Sequence, residues 1–232
     1  MSPTPAFGVD GGTTDRLGRR PRPEIGIGIE MARPQTIEEQ ELVGRLSRVF
    51  RDIGYEGASL AMLAAATGLK KASLYHRFPH GKQQMAEQVL AAALSWYATN
   101  ILSPLAGQGS PAERIAMVVK NLDAFYASGR QACLLNMLAS PHTDNGPFAA
   151  AIKRAFEALI KAFMALAREA GHAPAESRAR AERAVMLLHG SLVMCRGLRS
   201  SKPFRVFLAA LPGELLAEPR SSRNRKIAIG HA

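Results

Sequence analysis

Between about residues 36 and 217, apolar side chains recur every three or four positions, and no stretch alternates at the period of two that a half-buried strand requires. This constraint leaves an all-α chain and excludes sheet architectures. Punctuation divides the pattern into nine helices. The first covers about 36–53, with Leu42, Leu46, Val49, Phe50 and Ile53 on one stripe and Gly54 as its stop. Short helices follow at about 59–67 and 70–77, the latter closed by Pro79. A fourth starts near Gly81 and runs past Trp96 toward Leu102. Ser110-Pro111-Ala112-Glu113 is a capping box with proline at the first helical position, and it opens a fifth helix that ends near Gly129. The remaining four cover about 131–140, 147–171, 174–199 and 203–217.

The two short helices carry the functional signal. Ser59 to Thr67, then Gly68-Leu69, then Lys70 to Phe78 is the spacing of a helix-turn-helix. Leu60, Leu63, Leu69, Leu74 and Phe78 supply its internal contacts. Lys70, Lys71, Ala72, Ser73, Tyr75, His76 and Arg77 are left on the outward side of the second short helix. That face suits a DNA major groove: the cations meet phosphates, lysine reads guanine, and serine reads either base edge. The charge of the whole chain agrees. Thirty Lys and Arg against nineteen Asp and Glu leave +11, which favours a polyanionic partner.

These residues resemble the tetracycline-repressor (TetR) family of bacterial regulators. The resemblance is carried over about 36–90 by a first helix ending in Gly54-Tyr55-Glu56-Gly57, an Ala-rich second helix, and Leu74-Tyr75-His76-Arg77-Phe78-Pro79 before Gly81-Lys82. It extends more loosely over 91–217. The resemblance implies a helix-turn-helix DNA-binding domain at 35–82 and a larger helical effector-binding and dimerisation domain at 83–217. It also implies DNA contacts by Tyr75, Lys82 and the outward residues of the third helix. Three positions depart from the family pattern. Ala58 stands where a threonine commonly caps the second helix, so Ser59 takes over the cap. Lys70 replaces a serine, and Arg77 a histidine or tyrosine.

A TetR-type regulator is expected to pair as a homodimer, read a palindromic double-stranded operator and respond to a small molecule. The aromatic and methionine content of the second domain points to an apolar or aromatic effector. Trp96, Phe125, Met137, Phe156 and Phe163 are its candidate contacts, with His189 as a polar handle on an otherwise apolar stripe. Leu188, Leu192, Phe204, Phe207, Leu208 and Leu211 on the last two helices are expected to form the dimer face. A DNA-binding regulator without an effector, its pocket filled by its own aromatics, is the alternative.

Other classes have little support. The six histidines show no metal-ligand spacing, and Pro79 breaks the face that His76 and His80 would share. No nucleophile elbow or phosphate-binding loop occurs, so neither an enzyme nor a cofactor is expected. Cys133 and Cys195 fit small buried hydrophobes, with redox sensing as the alternative. The longest uncharged apolar run, Val185 to Met194, falls well short of the about 20 residues of a membrane span. A cytoplasmic protein is expected. Residues 1–34, rich in glycine and proline, read as a disordered arm, either idle or using its arginines in a minor groove. Residues 218–232 read as a basic tail.

Overall fold

The computed structural model describes residues 38–139 and 146–216. The expected arm at 1–34 and tail at 218–232 lie outside the described residues. Nine α-helices, with no strand among the described residues, follow the order expected from the periodicity. They are α1 (Glu39–Gly57), α2 (Leu60–Thr67), α3 (Lys71–Arg77), α4 (Gly81–Tyr97), α5 (Pro111–Phe125), α6 (Leu134–Leu138), α7 (Ala149–Glu169), α8 (Pro174–Leu198) and α9 (Lys202–Leu216).

Helix α4 does not stop at Tyr97. It continues through a π-helical turn, Ala98–Leu102, and a last turn, Ser103–Leu105. Pro104 accounts for this turn, because it has no N–H to donate to the carbonyl of Asn100 four residues back. The freed carbonyl accepts the side-chain amide of Asn121 on α5 at 2.7 Å. Arg114 then ties the end of this helix to α5 and α7, donating to the Leu105 carbonyl at 2.8 Å and pairing with Glu169.

Two buried clusters organise the molecule. One joins Leu42, Leu46 and Phe50 of α1 to Leu63, Leu74, Phe78 and the α4 residues Met85 and Val89, with Leu134, Leu138, Phe148 and Ile152 from farther along the chain. The other is built from α5, α7, α8 and α9 around Val118, Phe163, Leu188 and Phe204. Helix α1 therefore packs not only on α2 and α4 but also on α6. Ile53, expected on the buried stripe of α1, is 37 % exposed. Gly54 at φ 78° breaks the helix there, and the stripe ends with it.

Candidate nucleic-acid interface and effector cavity

The helix-turn-helix is assembled by caps and by one arginine. Ser59 accepts the Met62 amide at 3.2 Å and so caps α2, while Ala58, at the position where threonine is usual, is buried. At the other end, Gly68 takes a left-handed conformation. Thr67 is buried with its hydroxyl on the Leu63 carbonyl at 2.8 Å. Arg45 of α1 donates to the Thr67 carbonyl at 3.2 Å and to Glu41 at 2.7 Å. A cation thus satisfies an orphan carbonyl at the C-terminus of α2 and fixes α2 against α1.

Helix α3 is held from one side only. Leu74 and Phe78 are buried, whereas Lys70, Lys71, Ala72, Ser73, Tyr75, His76 and Arg77 are exposed, as their spacing required. Lys70 occupies the N-cap of α3 without a capping side chain, so the α3 amides receive no help from that position. Lys82 is placed differently from its neighbours. It is half-buried, its ammonium donating to the Tyr55 carbonyl at 2.9 Å and lying 4.4 Å from the Tyr55 ring centroid. Lys82 therefore fastens α4 to the end of α1, where it also borders the exposed α3 face.

The second cluster of expected site residues divides. Phe125, Phe156 and His189 line a small cavity together with Leu94, Tyr97, Tyr126, Cys133 and Leu159. It holds about 30 Å³, room for about one water. Its walls are occupied by its own aromatics, with Phe125 edge-on to Tyr97 and Tyr126 and the two tyrosine hydroxyls 3.2 Å apart. Burial pushes the Tyr97 and Tyr126 hydroxyls up in pKa, keeping both neutral. It does the same to the Cys133 thiol, which speaks against a reactive redox thiolate at that position. His189 stacks edge-on against Phe156 at 4.8 Å, and neither ring nitrogen has a hydrogen-bond partner among the described residues. Desolvation lowers its pKa to about 4, so it is a neutral imidazole at physiological pH.

The other three expected ligand contacts lie elsewhere. Trp96 stacks on Phe125 at 4.3 Å from outside the cavity. Met137 sits beside Gly54 and meets the Arg196 guanidinium, and Phe163 is fully buried in the main core. Tyr97 and Tyr126, which line the cavity, belong to the same set of second-domain aromatics as the expected contacts, whereas Arg51 was not foreseen. Arg51 reaches from α1 to the Ala132 carbonyl at 2.6 Å, with its guanidinium 4.9 Å from the Phe125 centroid.

Residues 46–89 match the family model described as bacterial regulatory proteins, tetR family. Residues 111–210 match the C-terminal domain of LmrA/YxaF-like transcriptional regulators, so between them the two models cover more than half of the chain. The chain belongs to the TetR family. It is a family of transcriptional regulators and not of enzymes. The curated regulator LmrA of Bacillus subtilis strain 168 is 22 % identical over 178 residues, covering 75 % of this chain and 94 % of that protein. A TetR regulator from Legionella pneumophila superposes with a TM-score of 0.67 at 20 % identity, covering 78 % of this chain and 99 % of the other. The TetR-family regulator CifR, solved as a cysteine mutant with 26-base-pair operator DNA, is 26 % identical at a TM-score of 0.62, covering 81 % and 100 %. No helix among the described residues is long and apolar enough to cross a membrane.

In this TetR-family chain the expected dimer residues lie on the inner faces of the last two helices. Leu188, Leu192, Phe204, Phe207, Leu208 and Leu211 are all buried inside the protomer. The last two helices each carry two apolar stripes, and the bulkier one packs inward against α5 and α7. The outward stripe of α8 carries Met186, Leu187, Gly190, Val193, Met194 and Gly197, with Met186 65 % and Val193 59 % exposed. On α9 it carries Val206, Ala209, Ala210 and Gly213.

Proposed function

We propose that this chain is a cytoplasmic, ligand-responsive repressor that binds a palindromic operator as a homodimer. The observation that carries the DNA-reading part is α3. Its Lys71, Ser73, Tyr75, His76 and Arg77 stand in solvent on a helix locked from behind by Leu74 and Phe78. Lys70 opens this face, Ser59 borders it from the cap of α2, and Lys82 adds a phosphate contact if it exchanges the Tyr55 carbonyl for DNA. The dimer face is the outward stripe of α8 and α9 rather than the leucines behind it. A glycine inside a helix costs about 0.5–1 kcal/mol relative to alanine. A Cβ at Gly190, Gly197 or Gly213 would meet nothing within 4 Å in the protomer, so only a closely approaching second backbone gives their smallness a purpose. A two-fold dimer sets two α3 helices about 34–36 Å apart, one DNA turn.

The effector reading rests on the cavity beside His189. Its lining is apolar apart from neutral phenols, a thiol and one imidazole with free nitrogens, which fits an uncharged apolar or aromatic molecule bearing a hydrogen-bonding group. At about 30 Å³ the cavity has to open before it takes such a molecule. The same observation supports a second reading, a regulator without an effector whose aromatics fill the site themselves. A thermal-shift screen with neutral aromatic compounds separates the two, since a ligand of the folded state raises Tm.

The decisive experiment for the function is fluorescence anisotropy against a duplex from the upstream region of its own gene, over a salt series. Specific binding exceeds that to a scrambled duplex by about 10³-fold or more. Weak, equal binding to both that vanishes with salt would mean that charge alone attracts DNA, and would overturn the reading.

A further inference from the structure

Helices α1 and α4 flank an open groove of about 750 Å³, which shares Ala93 and Phe125 with the cavity beside His189. Its walls are small residues, among them Gly44 and Ser47 of α1 and Ala92 and Ser95 of α4, and Trp96 and Phe125 form an aromatic floor. A Cβ on Gly44 would meet nothing within 4 Å, so no neighbour in the protomer requires a glycine in the middle of α1.

At the end of this groove lies Arg51, which is only 5 % exposed. Its Nη1 donates to the Ala132 carbonyl at 2.6 Å and its Nε to the Ser47 hydroxyl at 3.3 Å. Among the described residues no group accepts a hydrogen bond from its Nη2 and none forms an ion pair with it. The ionisable groups around it are Tyr97, Tyr126 and Cys133, all held neutral by burial. Glu39 is the carboxylate that lines the groove, about 18 Å from Arg51 along α1 by helical rise, while Asp52, next to Arg51 in the chain, is exposed, lies outside the groove lining and forms no ion pair with it. Buried cations are ordinarily paired. This one is desolvated and faces an aromatic floor without a counter-ion, and its pKa is lowered accordingly.

We propose that the α1–α4 groove is a second ligand site that takes a planar aromatic carboxylate, with Arg51 as counter-ion and Trp96 as stacking surface. The carboxylate meets the free edge of the guanidinium, where a charge-assisted hydrogen bond is strongest. The ring lies along Trp96 between the small residues of the two helices. Such a ligand bridges the first helix of the DNA-reading domain to the helix that leads into the second domain. The site stands independently of whether the cavity beside His189 takes an effector.

Isothermal titration calorimetry of the full chain at physiological salt with 2-naphthoate and its neutral isostere 2-naphthamide tests this. The expected result is a preference for naphthoate of about tenfold or more. Arg51→Gln, which retains a donor for the Ala132 carbonyl, abolishes that preference. Gly44→Leu projects a side chain into the groove from a position where a Cβ meets nothing within 4 Å; it abolishes binding of both ligands and supplies the answer if Arg51→Gln does not fold. Equal affinities of the wild-type chain for the two ligands, no binding at all, or naphthoate affinity that survives Gly44→Leu would each overturn the proposal.

Discussion

His189 offers the most direct check on the cavity, because its protonation is coupled to stability. Desolvation by the surrounding apolar side chains lowers its pKa from 6.5 to about 4. The folded imidazole therefore stays neutral at pH 5, while the imidazole of the unfolded chain takes up a proton. The unfolded state binds more protons, so stability is complete above pH 6.5, falls as the pH drops through that value, and stops falling below about 4. At about 1.4 kcal/mol per pKa unit, His189 costs the fold about 2 kcal/mol between pH 7 and pH 5. Against a typical total of about 5–15 kcal/mol this is a readily measured loss. His189→Phe keeps the edge-on contact with Phe156 and removes two unpaired ring nitrogens. The variant should be more stable at pH 7 by about 1 kcal/mol or more and should lose this part of the pH dependence. Urea unfolding followed by circular dichroism at pH 7 and pH 5, at one protein concentration, gives both numbers. If wild type and variant lost stability in parallel between the two pH values, the buried, neutral and unpartnered His189 would be refuted.

Three further outcomes follow from the geometry. Lys71→Ala and Tyr75→Ala remove exposed side chains from α3, so operator affinity in the anisotropy assay should fall by about tenfold or more while the helical circular dichroism signal is unchanged; retained affinity would move the reading face elsewhere. Leu187→Glu and Gly190→Leu change the outward stripe of α8 and should give folded monomers by light scattering, whereas Leu192→Glu buries a carboxylate and should not fold. A folded monomer from Leu192→Glu, or an intact dimer from both outward variants, would contradict the interface assignment. Gly129→Ala meets two costs at once, a φ of +85° and a Cβ 2.8 Å from that of Phe204, and should lose about 2–3 kcal/mol or more, lowering Tm by about 5–10 °C; an unchanged Tm would refute the close approach.

The sequence was most readable where one local rule acted alone. Ser110 and Glu113 form the capping box their spacing announced, with the Glu113 carboxylate accepting the Ser110 amide at 2.8 Å and Ser110 accepting the Glu113 amide at 3.3 Å. Ser59 caps α2 because Ala58 cannot, Gly68 and Pro79 end helices where they fall, and Gly54 kinks α1 three residues before its end. The exposed side of α3 was equally legible, since Leu74 and Phe78 leave only one way for a seven-residue helix to turn. Periodicity failed where two rules competed. On α8 both the stripe through Leu188 and Leu192 and the stripe through Leu187 and Val193 are apolar, and a helical repeat cannot say which one faces α7. Two glycines break the tie. Gly190 and Gly197 lie on the outward stripe, where they leave the inner face a fuller set of side chains to pack. Bulk marks the side that fills the core, and under the proposed dimer the small residues mark the side that a second backbone approaches.

Arg51 shows the opposite failure, a polar residue hidden by its own context. It adjoins Phe50 on α1, and a charge at a helix surface ordinarily faces water, so nothing in the one-dimensional pattern separates it from Arg45 or Arg48. What places it is Phe125, seventy-odd residues later, whose ring sits under the guanidinium, and Ala132, whose carbonyl receives it. Both lie on either side of the tight turn Ala127–Gly129, where three successive residues adopt positive φ. A left-handed turn of this kind is costly for Ala127 and Ser128. It returns the chain sharply enough to bring Phe125 and Ala132 to the same arginine. The contact of Arg51 with Phe125 and Ala132 thus depends on a strained turn and, beside the packing of α1 on α6, ties α1 to the wall of the cavity beside His189; under the proposed function, a ligand that moves Phe125 would act on α1 through it.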